Sequence, residues 1–223
     1  MKNKLFLNGY IGFSLFYLLI VLLGREEMAW FLKPFLIPFL LLAVYFCESF
    51  PSKKILLTAL LFSWIGDIIL MFTDRGELYF IFGLLAFLLS HIVYIFVFNN
   101  QSKTETNKSQ ATFGIGVGVI IAYLALMLFI LLPKLGDLKI PVIVYAMVIS
   151  TMLLFAFKGS LNWPKPANNI ILLGAIFFVS SDSILAFNKF YCPVPLSSFL
   201  IMITYITAQY LIVNGILKLN QKK

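Results

Sequence analysis

The sequence predicts an all-α polytopic membrane protein with eight transmembrane helices. Hydrophobic residues make up 61% of the 223 residues, charged residues make up 12%, and the mean hydropathy is +0.99. A soluble domain carries roughly 25% charged residues. Apolar windows of about 17 to 25 residues, the length that crosses a bilayer as a helix, recur along the whole chain. Because no soluble domain fits between them, residues 1–223 are predicted to form one transmembrane domain.

The eight windows follow one another with short connectors. They cover residues 5–23, 30–47, 54–73, 78–98, 111–132, 140–157, 167–187 and 196–217. Helix-breaking or polar residues separate them: Gly24, Pro51, Gly76, the run 99–110, Pro133, Gly159 and Pro193. The first window has no small-x-small cleavage site before Gly24 and is too long for the apolar part of a signal peptide. It is therefore predicted to be a retained span.

Positive charge follows the pattern of membrane topology rather than that of nucleic acid binding. The net charge is +8, but the Lys and Arg residues lie almost entirely in the short gaps between windows. Alternating spans place eleven of them on the side of the N-terminus: Lys2, Lys4, Lys53, Lys54, Lys103, Lys108, Lys158, Lys165, Lys218, Lys222 and Lys223. Six fall on the other side: Arg25, Lys33, Arg75, Lys134, Lys139 and Lys189. The positive-inside rule predicts a multi-pass protein of the cell membrane with both termini in the cytoplasm and no nucleic acid partner.

Two acidic residues interrupt apolar spans. Asp67 lies in "FSWIGDIILMF" of span three and Asp182 in "FVSSDSILAF" of span seven. An ionised Asp at the centre of a membrane helix costs roughly 2.5 to 3.5 kcal/mol on insertion scales, so intramembrane acids normally face a wet or paired interior. Both predicted spans run outward, and each acid lies roughly 8 Å below the outer edge at 1.5 Å per residue. Two acids at one depth can share one cavity.

The surroundings of these acids suggest an internal repeat. Asp67 precedes Tyr94 by 27 residues, and Asp182 precedes Gln209 by the same 27. The chain could therefore consist of two related four-helix halves with one orientation. Apolar helices also resemble one another by composition alone, so the alignment is a hypothesis.

Other polar residues inside the spans are candidates for substrate binding. His91 and Tyr94 share one face of span four, Tyr205 and Gln209 share one face of span eight, and Lys33, Tyr145 and Ser181 complete the set. A lone Tyr or Gln in a membrane helix is more often a helix-to-helix hydrogen bond, and a Lys near a span end often snorkels to the interface. The two Asp residues are the stronger candidates for chemistry.

Several classes of enzyme are excluded by what the sequence lacks. One His and two distant cysteines, Cys47 and Cys192, cannot supply a three-ligand zinc site or a disulfide. The sequence has no GxSxG, Walker or GxGxxG motif, and no base stands at helical spacing from Ser180, Ser181 or Ser183. We therefore expect acid/base chemistry without a metal or cofactor.

Two further interpretations stay open on the residues alone. A proton-coupled transporter of small molecules or lipids would use the same acids to bind cations, although such carriers usually break their binding helices with Gly or Pro. Spans three and seven contain only Gly66 and Gly174. A lipid-binding or structural protein could instead bury the acids as hydrogen-bond partners.

Fragments spread over most of the chain resemble the YhhN-like lysoplasmalogenase family of eight-span membrane proteins. They are "KPFLIP", "GDIILMF", "FGLLAFLLSHIVYIFVF", "SDSILAF" and "MITYITAQYLIV". The resemblance implies an integral membrane hydrolase that cleaves the vinyl ether bond of lysoplasmalogen-type lysophospholipids, releasing a fatty aldehyde and a glycerophospho-base.

Such a reaction needs a strong acid and a nearby anion. Burial and a like charge both favour the protonated form of one acid in a pair, so Asp67 and Asp182 could supply one acid and one carboxylate. Asp182, between two serines, is the better candidate for the ionised partner, and Asp67 is the better acid. Lys33 is placed to meet a lipid phosphate.

Overall fold

The computed structural model describes residues 2–101 and 110–221, and within this part of the chain the regular elements are all helical. The α-helices are α1 (Lys2–Leu22), α2 (Glu26–Leu32), α3 (Leu36–Tyr45), α4 (Lys53–Leu70), α5 (Glu77–Asn99), α6 (Gln110–Leu131), α7 (Lys139–Asn162), α8 (Ala167–Ala186) and α9 (Ser197–Asn220). The all-α class is confirmed. Lys103, Lys108, Lys222 and Lys223 of the charge count, and most of the run 99–110, lie outside the described residues.

Seven helical segments of the described chain are long and apolar enough to cross a membrane. They are Lys2–Leu22, Glu26–Tyr45, Glu77–Asn99, Gln110–Lys134, Gly136–Asn162, Ala167–Tyr191 and Ser197–Asn220. The remaining helix, α4, has 18 residues and carries three charged side chains, Lys53, Lys54 and Asp67. The protein is thus a polytopic membrane protein, and the eighth span stays a prediction although its helix forms where expected.

The second span is interrupted in its middle. A 3₁₀ turn, Lys33–Phe35, joins α2 to α3, so Lys33 lies inside the segment Glu26–Tyr45 rather than at its start. In a continuous α-helix the Pro34 carbonyl would accept from the N–H of residue 38, but Pro38 has none. The indole Nε1 of Trp64 in α4 donates to the Pro34 carbonyl at 2.7 Å instead. The Pro34 carbonyl, left without a donor by the break, is therefore hydrogen-bonded by a neighbouring helix.

The first of two compact units comprises the described residues 2–100 together with residues 220 and 221. Within it α4 packs along α5, α1 packs on α3, and α3 packs on α4. Gly66 lets α4 approach α5, because a Cβ at this position would lie 2.6 Å from the Phe87 ring. Ser63 of α4 and Ser90 of α5 lie 2.7 Å apart, and Ser90 also donates to the Ala59 carbonyl at 2.9 Å. Small and hydroxylated residues thus hold this helix pair together.

The second unit comprises Gln101 and the described residues 110–219. Here α7 packs on both α6 and α8. At Gly174 of α8 a Cβ would lie 2.9 Å from the Ile212 backbone nitrogen and 3.1 Å from the Ala208 carbonyl oxygen of α9. A π-helical turn, Phe187–Tyr191, follows α8 directly. Cys192 comes next and is a free, exposed cysteine, and Cys47 of the first unit is also free.

Candidate active site

Asp67 lies in the interior of the first unit. It is on the last turn of α4, and its side chain is 3% exposed. Gly66, directly before it, allows the close approach of α5 described above. On α5, the side chains of Phe87, His91, Tyr94 and Phe98 are all buried and follow helical spacing. The candidate residues His91 and Tyr94 therefore face the interior of the unit that holds Asp67.

Helix α1 contributes tyrosines near Asp67 that the sequence analysis did not select. The phenol groups of Tyr10 and Tyr17 interact electrostatically with the Asp67 carboxyl group, and both tyrosines are buried. Their separation of seven residues, with buried Ser14 between them, puts them on one face of α1. This spacing was a readable signal in an otherwise apolar span.

Asp182 has a defined partner in the second unit. The Tyr145 hydroxyl of α7 donates to a carboxylate oxygen of Asp182 on α8, with 2.5 Å between the oxygens. An ionised carboxylate can only accept hydrogen bonds, so the phenol is a suitable partner for it. Tyr145 was a candidate from the sequence, but its pairing with Asp182 was not predicted.

A second hydroxyl chain lies one residue beyond Asp182. Ser183 donates to the Val179 carbonyl at 2.6 Å, and its oxygen is 2.6 Å from the Tyr123 hydroxyl of α6. Because Ser183 donates its only hydroxyl proton to the Val179 carbonyl, the Tyr123 hydroxyl is the donor in its contact with Ser183. Sequence reasoning missed Tyr123, which is a single tyrosine in a long apolar helix.

These two pairs line a cavity of about 60 Å³ between α6, α7 and α8. Each helix contributes residues from successive turns of one face, and residues three or four apart recur along each helix. These residues run from Tyr123 to Leu131 in α6, from Val142 to Ser150 in α7, and from Val179 to Ala186 in α8. Apart from two tyrosines, two serines and Asp182, the lining is aliphatic or Met127. The cavity has room for a few water molecules.

The remaining candidates of the second unit do not line this cavity. The Ser181 hydroxyl donates to the Ile201 carbonyl of α9 at 3.0 Å. Gln209 donates through Nε2 to the Tyr205 hydroxyl at 3.3 Å, and the Tyr205 ring packs edge-on against Phe178. All three side chains are buried. In the structure they form contacts between or along helices, so a substrate-binding role for them stays a prediction.

Lys33 is half-buried in the 3₁₀ turn of the first unit. Asp67 belongs to the first unit and Asp182 to the second, and their shared cavity stays a prediction. Among the described residues, no group of three or more His, Cys, Asp or Glu side chains could hold a metal ion. The chemistry available near each acid is that of carboxyl, phenol and hydroxyl groups, with one imidazole in the first unit.

The family model and the similar proteins of known name point to the same family. Residues 28–216 match the YhhN family. Human lysoplasmalogenase TMEM86A is 34% identical over 173 residues, which are 75% of this chain and 67% of the relative. Human lysoplasmalogenase TMEM86B is 30% identical over 194 residues, 84% of this chain and 76% of the relative. No solved structure matches the chain. Because the family match extends over most of the sequence, this chain belongs to the YhhN family.

Proposed function

We propose that this protein is an integral membrane hydrolase that cleaves the vinyl ether bond of lysoplasmalogen-type lysophospholipids. The observation that carries the proposal is the Asp182 carboxylate, held by the Tyr145 hydroxyl in a cavity that is otherwise almost entirely apolar. The names of the relatives TMEM86A and TMEM86B, both lysoplasmalogenases, support the choice of reaction.

The reaction needs one proton donor and one anion. A proton is added to the second carbon of the alkenyl chain, where the double-bond electrons form the new C–H bond. The first carbon becomes cationic, and a lone pair of the ether oxygen stabilises it as an oxocarbenium ion. Water adds to that carbon and loses a proton, and the resulting hemiacetal collapses. One water is consumed, and a fatty aldehyde and a glycerophospho-base with a free hydroxyl are released.

We assign the donor role to Asp67 and the anion role to Asp182. Asp67 is buried in the first unit, and we assign it the delivery of the proton to carbon. Asp182 accepts from Tyr145, so it can stabilise the oxocarbenium ion and take the proton of the attacking water. Glycosidases handle a similar cation with two carboxyl groups roughly 6.5 to 9.5 Å apart, which leaves room for a water. The proposal requires both acids to reach the same vinyl ether.

Other residues are assigned to binding. Lys33 would meet the lipid phosphate, and His91 or Tyr94 would orient the water or the polar part of the substrate. Tyr205, Gln209 and Ser181 would support the site through their helix contacts. No metal or cofactor is part of the proposal.

The proposal is tested by measuring fatty aldehyde release from a lysoplasmalogen by the purified protein and its variants. Asp67→Asn and Asp182→Asn should each lower the rate by at least about 10², the contribution of a general acid or base. Asp137→Asn, at an exposed acid in the 3₁₀ turn Gly136–Leu138 just before α7, is the matched control and should keep full activity.

The transporter interpretation predicts a different result. If both Asn variants still release aldehyde at the parent rate, or the parent protein releases none, the acids do not act as proposed. Loss of proton-coupled flux in reconstituted vesicles with both Asn variants would then assign the protein to the carriers.

A further inference from the structure

The cavity between α6, α7 and α8 has a polar side and an apolar end. Asp182, Tyr145, Tyr123 and Ser183 form the polar side. Toward the other end, Leu131 of α6 and Val142 of α7 belong to one buried cluster with Leu135. Ala186 of α8, one helical turn or about 6 Å beyond Asp182, packs against the same cluster. The cavity therefore ends in aliphatic side chains close to the carboxylate.

The charges of the lining exclude a phosphate from this space. Among the residues that the structure describes, the lining contains no Lys, Arg or His, and its one carboxyl side chain is that of Asp182. A lipid phosphate in the cavity would be buried without a cationic partner and beside a carboxylate, which is strongly unfavourable. A hydrocarbon segment has no such penalty and gains from contact with the aliphatic wall.

We propose that the apolar end of this cavity holds the first carbons of the alkenyl chain, next to the reacting double bond, with Met127 as the wall that sets how much chain it admits. This inference rests on the proposed function and fixes the orientation of its substrate, with the chain in the second unit's cavity and the head group outside it. Met127 is half-buried, lines the cavity and packs against the Leu131–Leu135–Val142 cluster. Its unbranched thioether side chain adapts to neighbours of varied shape.

The neighbouring residue on α6 provides a matched control. Leu126 is 56% exposed and does not line the cavity, whereas Met127 does. Substitution of either residue by Trp adds the same bulk to the same turn of the same helix. Only the change at Met127 should fill the apolar end.

The experiment uses photolabelling of the full-length protein in lipid nanodiscs. The probe is a saturated 1-O-alkyl lysophospholipid, which lacks the double bond and cannot be hydrolysed, with a diazirine on the alkyl carbons nearest the ether oxygen. A second probe carries the diazirine on the head group. Leu131 is 3% exposed, so a lipid outside the protein cannot reach it readily.

We expect the chain probe to label Leu131 and Val142, and an excess of unlabelled alkyl lysophospholipid to suppress that labelling. Met127→Trp should reduce labelling of Leu131 by about tenfold or more because the bulk excludes the chain, Met127→Phe should reduce it less, and Leu126→Trp should leave it unchanged. The same order should hold for kcat/KM with straight-chain lysoplasmalogens.

The inference is overturned if the head-group probe labels Leu131 to the same extent as the chain probe. It is also overturned if Met127→Trp and Met127→Phe leave labelling by the chain probe unchanged in correctly folded protein. Labelling does not require hydrolysis. If the chain probe labels the cavity but the parent protein releases no aldehyde, the assignment of the cavity stands and the proposed reaction fails. If aldehyde is released but the cavity is not labelled, the reaction stands and the orientation fails.

Discussion

At the scale of single residues, the hydrogen bond from Tyr145 to Asp182 gives the second acid a fixed position. Hydrogen bonds to charged groups contribute about 1.5 to 3 kcal/mol, so losing this one should be visible in the chemistry. Neither the pairing nor the Tyr123 to Ser183 contact could be predicted from the sequence. Both depend on the relative rotation of α6, α7 and α8, which hydrophobic periodicity does not specify when helices are apolar on all sides.

Tyr145→Phe keeps the ring and removes the donor. We expect kcat for aldehyde release to fall by about ten- to a hundredfold with a smaller change in KM, since the substitution affects the carboxylate more than substrate binding. Steady-state kinetics over a range of pH measure this, and the same assay on Tyr191→Phe, at an exposed tyrosine after α8, serves as control. An unchanged kcat would show that Asp182 does not need its partner.

At the scale of helices, the sequence predicted the position of every long element but not its internal breaks. The eight apolar windows each contain a helix, because window length and breakers are visible in composition. The 3₁₀ turn of span two was missed although Pro34 and Pro38 were readable signals. The face of α1 with Tyr10 and Tyr17 was likewise missed although their seven-residue spacing, with Ser14 between them, was a readable signal.

Close helix contacts give a stability prediction for α8. Gly174→Ala places a Cβ 2.9 Å from the Ile212 backbone nitrogen, and a backbone cannot move aside as a side chain can. We expect a lower unfolding temperature in detergent, measured by tryptophan fluorescence. The control is Gly118→Ala in α6, where a Cβ meets nothing within 4 Å, and the better helix propensity of Ala should leave stability equal or up to about 1 kcal/mol higher. Equal melting of the two variants would mean that α8 and α9 can separate at little cost.

At the scale of the whole molecule, we expect the reaction to need Asp67 and Asp182 together. Groups that act as a unit are strongly non-additive when removed. The double variant Asp67→Asn with Asp182→Asn should therefore release aldehyde at nearly the rate of the slower single variant. If the double variant instead loses activity by the product of the fold losses of the two single variants, the acids act independently.

The composition of the whole chain also predicts that aldehyde release does not require a metal ion. It has one His, and its two cysteines lie far apart in sequence, at positions 47 and 192. Aldehyde release should survive incubation with strong chelators such as EDTA and phenanthroline, whereas a zinc hydrolase would lose activity. Activity that disappears on chelation and returns with added zinc would reveal a ligand set that the sequence did not indicate.

The hydrogen bond from Trp64 to the Pro34 carbonyl should make the evolutionary replacement of Trp64 depend on that of Pro38. Pro38 leaves that carbonyl without its intrahelical donor, and the indole supplies the replacement. Substitution of Pro38 by an ordinary residue would restore the backbone donor and remove the need for an indole at position 64. A lineage that lost Pro38 would then be free to lose Trp64, whereas loss of Trp64 first would be selected against. Among descendants of one ancestor, the two residues should therefore disappear in that order.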